Sequence, residues 1–181
     1  MRHLMLLTLT ALLLAGCGSG VIGNPELPEL PSVTGEMTAR INGQPFEAEL
    51  AGIGIEPILQ DTTLVWLNLI GVSGDANNEE SLWITLFFDE QFASVESGTY
   101  DYDSDCDYGD ATPCLAASYT LPDGMTYGLD EDGSGSFTIE FYDASLGEAA
   151  RGTFSFSMQG DTTATAEVMD GEFNVVVNRN Y

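Results

Sequence analysis

Between residues 36 and 177, apolar side chains recur at every second position, the period of a strand with one face buried. Met37, Ala39 and Ile41 alternate with Thr38, Arg40 and Asn42, and Asn42-Gly43 is a residue pair suited to a two-residue hairpin turn. Phe46, Ala48 and Leu50 continue inward, against Glu47 and Glu49 facing water. Further on, residues 135–142 set Phe137, Ile139 and Phe141 on one face and Thr138 and Glu140 on the other. Residues 150–158 set Phe154, Phe156 and Met158 against Arg151, Thr153, Ser155 and Ser157. Ala164, Ala166 and Val168 follow, Asp170-Gly171 reads as another hairpin turn, and Phe173, Val175 and Val177 complete the series. No long window holds a helical face together. Gly, Asp and Asn turns separate about nine or ten short strands, which predicts an all-β domain over residues 36–181, an antiparallel β-sandwich or β-barrel.

Two segments break the alternation. Residues 64–72 (LVWLNLIGV) and 81–89 (SLWITLFFD) are apolar on both faces and read as central strands. In a barrel or a sandwich, the second face of such a strand needs a cover. Trp66, Trp83 and Phe87 are therefore candidate ligand-binding residues lining an interior cavity or a lateral groove, where aromatics stack on sugar rings, seat a lipid tail or meet a partner protein. The alternative is that they fill a lopsided core.

The region before the strands has a different grammar. Arg2 and His3 precede a largely apolar run over residues 4–15, too short to span a bilayer and suited to the core of a signal peptide. The run ends in Leu14-Ala15-Gly16-Cys17, which resembles the lipobox of bacterial lipoproteins. The resemblance implies a signal peptide over 1–16, cleavage before Cys17, and lipid on the Cys17 sulfur and amine. Several acyl chains together anchor a protein firmly. Gly18 in place of Asp implies, by the sorting rules of such lipoproteins, the outer membrane of a bacterial cell envelope. Residues 17–35 then form the lipidated Cys and a flexible Gly- and Pro-containing tether.

Charge narrows the chemistry. The 181 residues hold 29 Asp plus Glu, 4 Lys plus Arg and one His, a net charge of -25. No basic stripe offsets this, so nucleic acid is excluded as a partner. After cleavage the basic side chains are Arg40, Arg151 and Arg179; against 29 acids they leave a side-chain charge of -26, with no Lys and no His. A Ser-His-Asp or Cys-His nucleophile, a Schiff-base lysine and a His-ligated zinc are all excluded within that chain. The acidity fits a saline environment, acids that ligate divalent cations, or compositional drift.

Residues 101–110 (DYDSDCDYGD) concentrate that acidity. Asp101, Asp103, Asp105, Asp107 and Asp110 could curl around one hard cation, which makes Ca2+ the candidate cofactor; a solvated acidic loop is the alternative. The segment is not an EF-hand, since the sixth and twelfth positions from Asp101 are Cys106 and Thr112 rather than Gly and Glu. Cys106 and Cys114 are expected to form a disulfide in an exported chain. Asp123, Asp130, Glu131 and Asp132 read as turn residues. No catalytic residue is assigned, because no two acids are marked as a pair and Glu140, firmly placed in a strand, faces outward.

The series Asn42-Gly43-Gln44-Pro45-Phe46, Gly98-Thr99-Tyr100, Gly135-Ser136-Phe137-Thr138-Ile139, Arg151-Gly152-Thr153-Phe154-Ser155-Phe156 and Asp170-Gly171-Glu172-Phe173-Asn174-Val175 resembles, with the lipobox, an uncharacterised family of bacterial, Bacteroidetes-like all-β lipoproteins, a domain of unknown function. The resemblance covers roughly residues 36–181 and implies a surface-type β domain without an assigned activity. Three functions follow as expectations. One is a non-catalytic, lipid-anchored binding module for glycan, lipid, peptide or protein. Another is a structural lipoprotein packing against a partner complex, and the third a carboxylate-dependent hydrolase. A concave aromatic pocket favours the first and a flat patch or open sheet edge the second.

Overall fold

Eleven strands follow one another along the chain: β1 (Glu36–Ile41), β2 (Gln44–Glu47), β3 (Leu50–Pro57), β4 (Leu64–Ser73), β5 (Glu80–Asp89), β6 (Gly98–Asp101), β7 (Cys114–Thr120), β8 (Thr126–Gly128), β9 (Ser134–Tyr142), β10 (Ala149–Gly160) and β11 (Thr165–Val176). The computed structural model describes residues 35–57, 63–75, 78–91, 93–107, 109–143, 147–160 and 164–177. The expected signal peptide, Cys17 and all of the tether except Gly35 lie outside the described residues. The strands belong to one unit, Pro31–Tyr181.

All the strand pairs are antiparallel, in the order β2-β1-β11-β10-β8-β7-β5-β4-β3, with β9 also on β10 and β6 on β9. β8 is the link between two halves: Gln159 and Gly160 of β10 pair with it on one side, and Ser118 to Thr120 of β7 on the other. The sheet curls so that its two halves face each other across one core. A parallel bridge between Ile53 of β3 and Val177 brings the far edge back toward the end of β11. The expected choice between sandwich and barrel thus resolves into an open, curled sheet with features of both.

The core follows from the alternation. Leu67, Leu69, Leu82, Ile84, Leu86 and Leu115 project inward from one half, and Met37, Ile139, Phe154, Phe156, Met158, Val168, Phe173 and Val175 from the other. Glycines make room for the largest of these rings. Gly135 lies opposite Phe156, Gly152 opposite Phe173 and Gly171 opposite Phe154 in the register of β9, β10 and β11. A Cβ at any of the three would collide with the facing ring and with strand backbone. Phe137 stacks on Phe173 with ring centres 5.3 Å apart. This half of the core is therefore a set of phenylalanine rings laid over glycine backbone.

The Asn42-Gly43 turn is as expected: φ is 51° and 79°, and Ile41 pairs with Gln44 across a two-residue hairpin. Three expectations are corrected. Asp170-Gly171 is not a turn but a bulge inside β11. Asp170 is left-handed at φ 52°, and one extra residue is accommodated against both β1 and β10. The same residue types suit both roles, but the inward set changes from Ala166 and Val168 to Phe173 and Val175, a shift of parity that a bulge produces. Phe141 is exposed rather than inward, because a bulge in β9 places Phe141 opposite Arg151 and Ile139 opposite Gly152. Leu50 is 55% exposed because the chain changes partner at a corner. The Ala48 N–H donates to the Met37 carbonyl of β1 (2.9 Å), and the Glu49 N–H donates to the Val72 carbonyl of β4 (2.8 Å).

Gly152→Ala tests the seating of rings on glycine. The new methyl meets the Thr138 carbonyl, which cannot rotate away, so we expect a loss of about 1–3 kcal/mol in urea unfolding with an unchanged m-value. A change below about 0.5 kcal/mol would show that the close approach is not a constraint.

Candidate functional site

β4 and β5 pair along their whole length, so the two outward rows lie side by side. The inward row is Val65, Leu67 and Leu69 against Leu82, Ile84, Leu86 and Phe88, all buried. Alternation then turns Leu64, Trp66, Asn68, Ile70 and Val72 of β4 outward, with Ser81, Trp83, Thr85, Phe87 and Asp89 of β5. Trp66 is directly opposite Phe87, and Trp83 opposite Ile70. Trp66 is 40% and Trp83 41% exposed. These residues neither line an interior cavity nor fill the core: they stand on the outer face of the sheet. The inner row already fills the interior, which leaves the outer aromatics for the surface.

The neighbours keep this face open. On β3, Gly52 and Gly54 pair with Ile70 and Asn68 and carry no side chain, while Glu56 pairs with Trp66. On β7, the small residues Ala116 and Ser118 pair with Thr85 and Trp83. In the centre, Asn68 is only 8% exposed, and its Oδ1 accepts from the Thr85 hydroxyl at 2.8 Å, a hydrogen bond that lets a polar pair sit within an apolar surface. Of the outward positions on β4 and β5, only Asp89 carries a charge. Leu50, Ile70 and the Asn68–Thr85 pair are members of this face that the sequence did not single out. The parity of Leu67, Leu69, Leu82 and Ile84 is the signal that could have placed them.

The acidic loop borders the same face. Cys114 begins β7 opposite Phe87, and its disulfide to Cys106 (Cα–Cα 5.7 Å) holds residues 106–114 at that end of the outer row. Closing so short a loop contributes about 2 kcal/mol by chain entropy. Asp101 ends β6, while Asp103, Asp105, Asp107 and Asp110 are exposed in the turns that follow. Two of the carboxylates serve the loop itself. Asp103 Oδ1 accepts from the Asp105 N–H at 3.0 Å, and Asp110 Oδ2 accepts from the Asp107 N–H at 2.8 Å. The five carboxylates are not gathered around one point. Among the described residues, the one cluster of three candidate ligand atoms within 4.8 Å of one another is Cys106, Asp110 and Cys114, and its two sulfurs are the disulfide. The loop is thus a rim of negative charge beside the aromatic face, with Asp123, Asp130, Glu131 and Asp132 in exposed turns elsewhere.

An open, mostly polar groove of about 500 Å³ lies on another side of the loop, between Thr112-Pro113 and Glu90, Glu96 and Tyr100. The Tyr100 hydroxyl donates to the Glu96 carbonyl and accepts from the Glu96 N–H, both at 2.8 Å. Burial, only partly offset by the Glu96 N–H donated to the phenol oxygen, raises the Tyr100 pKa. Burial and then the nearby Asp130, Asp103 and Glu131 charges raise that of Tyr102. Both phenols therefore stay protonated around neutral pH and offer hydrogen bonds, not nucleophiles. Glu140 faces outward as expected and meets Arg151 at 3.6 Å, an exposed pair.

Compared with protein-family models, with curated proteins and with solved structures, the chain finds no match in any of the three.

Two measurements check this geometry. The chain has two tryptophans and both stand on the outer face, so intrinsic fluorescence reports on that face alone. Trp66→Ser and Trp83→Ser should each cost below about 1.5 kcal/mol, against about 3–5 for a buried tryptophan, and acrylamide should quench the folded protein readily. A loss in the buried range with shielded emission would put the rings in the core. At matched ionic strength, calcium and magnesium should raise the melting temperature equally. A saturable, calcium-specific rise that Asp103→Asn removes would mean that the loop closes around the ion.

Proposed function

We propose that the protein is a lipid-anchored envelope protein whose non-catalytic β domain packs against a partner protein. The observation that carries this reading is the outward aromatic face built by Trp66, Trp83 and Phe87. A chain this acidic gains solubility from charge, yet it leaves two tryptophans exposed beside Ile70 on adjoining strands, with Glu56 opposite Trp66 at the margin. An open face suits the surface of another protein better than a small molecule, which needs enclosure. Its three to four strands and about five outward rows span on the order of 300 Å². That is the apolar centre of an interface rather than the whole of one.

The acidic loop at the Phe87 end indicates the partner's chemistry: an apolar centre bordered by Lys or Arg. Charge on the rim steers encounter and sets orientation, while the buried aromatics supply most of the affinity. Support for the anchor is the apolar run over residues 4–15 and Leu14-Ala15-Gly16-Cys17. An outer-membrane lipid at Cys17, followed by a tether, would leave the domain free to orient its face toward a partner in the same envelope. The absence of Lys and His from the chain after cleavage supports a non-catalytic role.

In cells that make the protein, Cys17→Ser should abolish lipid labelling and move the chain from the membrane to the soluble fraction. A photo-reactive phenylalanine in place of Trp83 should give one discrete protein adduct. That adduct should be lost with Trp66→Ser, weakened when Asp103 and Asp105 become Asn, and mapped to a segment of the partner with apolar residues flanked by basic ones. Membrane retention of the Cys17→Ser chain contradicts the anchor; no adduct, or one indifferent to Trp66→Ser, contradicts the binding face.

A further inference from the structure

A second cavity lies at the end of the domain where the β1–β2 hairpin meets the start of β5, the end of β7 and β8. It measures about 250 Å³, and Phe46, Tyr119 and Tyr127 line it together with Glu80. The ring of Phe46 stands at 90° to that of Tyr119, with centres 6.5 Å apart, so the pair makes a corner. Tyr127 stacks near-parallel on Tyr119 at 6.2 Å. Ile41 and Leu121 add apolar wall. An aromatic surround of this kind is negative on its ring faces.

Glu80 is out of place for a core position. It opens β5 in the parity of Leu82, Ile84 and Leu86, the inward row. It is half-buried, so its carboxylate stands at the edge of the cavity rather than within the core. Its Oε2 accepts from the Tyr119 hydroxyl at 2.7 Å, which leaves Oε1 without a partner among the described residues. Among the described residues no cation answers it: Arg40 donates to the Gly43 carbonyl at 3.1 Å, and Arg151 faces Glu140. Burial, and then the bond to Glu80, raises the Tyr119 pKa, so this phenol remains a donor at any physiological pH. The result is a small enclosure with aromatic walls, one carboxylate and no positive charge, in a chain of net charge -25.

From this arrangement we infer that the cavity formed by Phe46, Tyr119, Tyr127 and Glu80 binds an alkylammonium group of about the size of choline. Aromatic faces attract a quaternary or primary ammonium within about 6 Å of the ring centre, and attraction strengthens where water is excluded. The Glu80 carboxylate supplies the counter-charge. The volume admits a headgroup and excludes a drug-sized molecule. The overall negative field favours a free amine over one that carries its own phosphate.

The probe is choline chloride, titrated calorimetrically into the full chain in a neutral maltoside against sodium chloride of equal strength. We expect saturable binding. The neutral isostere 3,3-dimethyl-1-butanol, with carbon in place of nitrogen, should bind at least about tenfold more weakly, as should phosphocholine. Glu80→Gln keeps an acceptor for Tyr119 but loses the charge, and it should weaken choline by about tenfold. Tyr127→Phe should keep binding within about twofold, because the ring face remains. Absence of saturable choline binding, or equal binding of the neutral isostere, overturns the inference with no variant needed. Phosphocholine binding as tightly as choline would instead make the site one for a lipid headgroup and would overturn the assignment to a free amine.

Discussion

The pairing of β4 with β5 is the constraint around which the domain is organised. Both strands are apolar on both faces, and a sheet in a single curled layer can bury only one of them. The inward rows, Leu67 and Leu69 against Leu82, Ile84 and Leu86, join the phenylalanines of β9, β10 and β11 to make the core. The outward rows remain on the surface by the arithmetic of a two-residue repeat. The exposed tryptophans are thus the direct consequence of two doubly apolar strands in a sheet whose described strands form a single curled layer. Gly52 and Gly54 on β3 and the small residues of β7 keep the flanks of the face low.

The disulfide gives that face its electrostatic border. Cys114 lies opposite Phe87, so the bridge to Cys106 brings a run of aspartates to one end of the aromatic row. Two features that are separate in the chain become neighbours through one strand register. The acidity is then a property of the site as well as of the whole molecule. In the proposed binding role, an apolar centre with a charged rim would divide recognition between affinity and orientation.

Much of this was legible in the sequence, and what was not has identifiable causes. Alternation gave the all-β class and most of the inward residues, and Asn42-Gly43 gave its hairpin. Asp170-Gly171 misled because left-handed backbone serves a bulge as well as a turn; the shift of parity between Val168 and Phe173 was the cue. Leu50 and Phe141 were misplaced for the same reason, since a corner or a bulge moves every later side chain to the other face. β6 and β8 have four and three residues, too short for a periodic signal. Trp66, Trp83 and Phe87 stand on the outer rows rather than in an interior cavity or the core, because composition marks a surplus of aromatics while only parity says which side they take. The cavity at Glu80 was illegible, because Phe46, Tyr119 and Tyr127 meet through pairings distant in the chain.

On the proposed function, a partner covers the outer face of β4 and β5 where the protein works. Hydroxyl-radical footprinting of Trp66 and Trp83, on intact envelope membranes and on the purified chain, tests it most directly. The account predicts fast oxidation of both rings in the purified protein and strong protection in membranes, while exposed Met169, on the other half of the sheet, reacts alike in both. Equal oxidation of the tryptophans in the two preparations would contradict it.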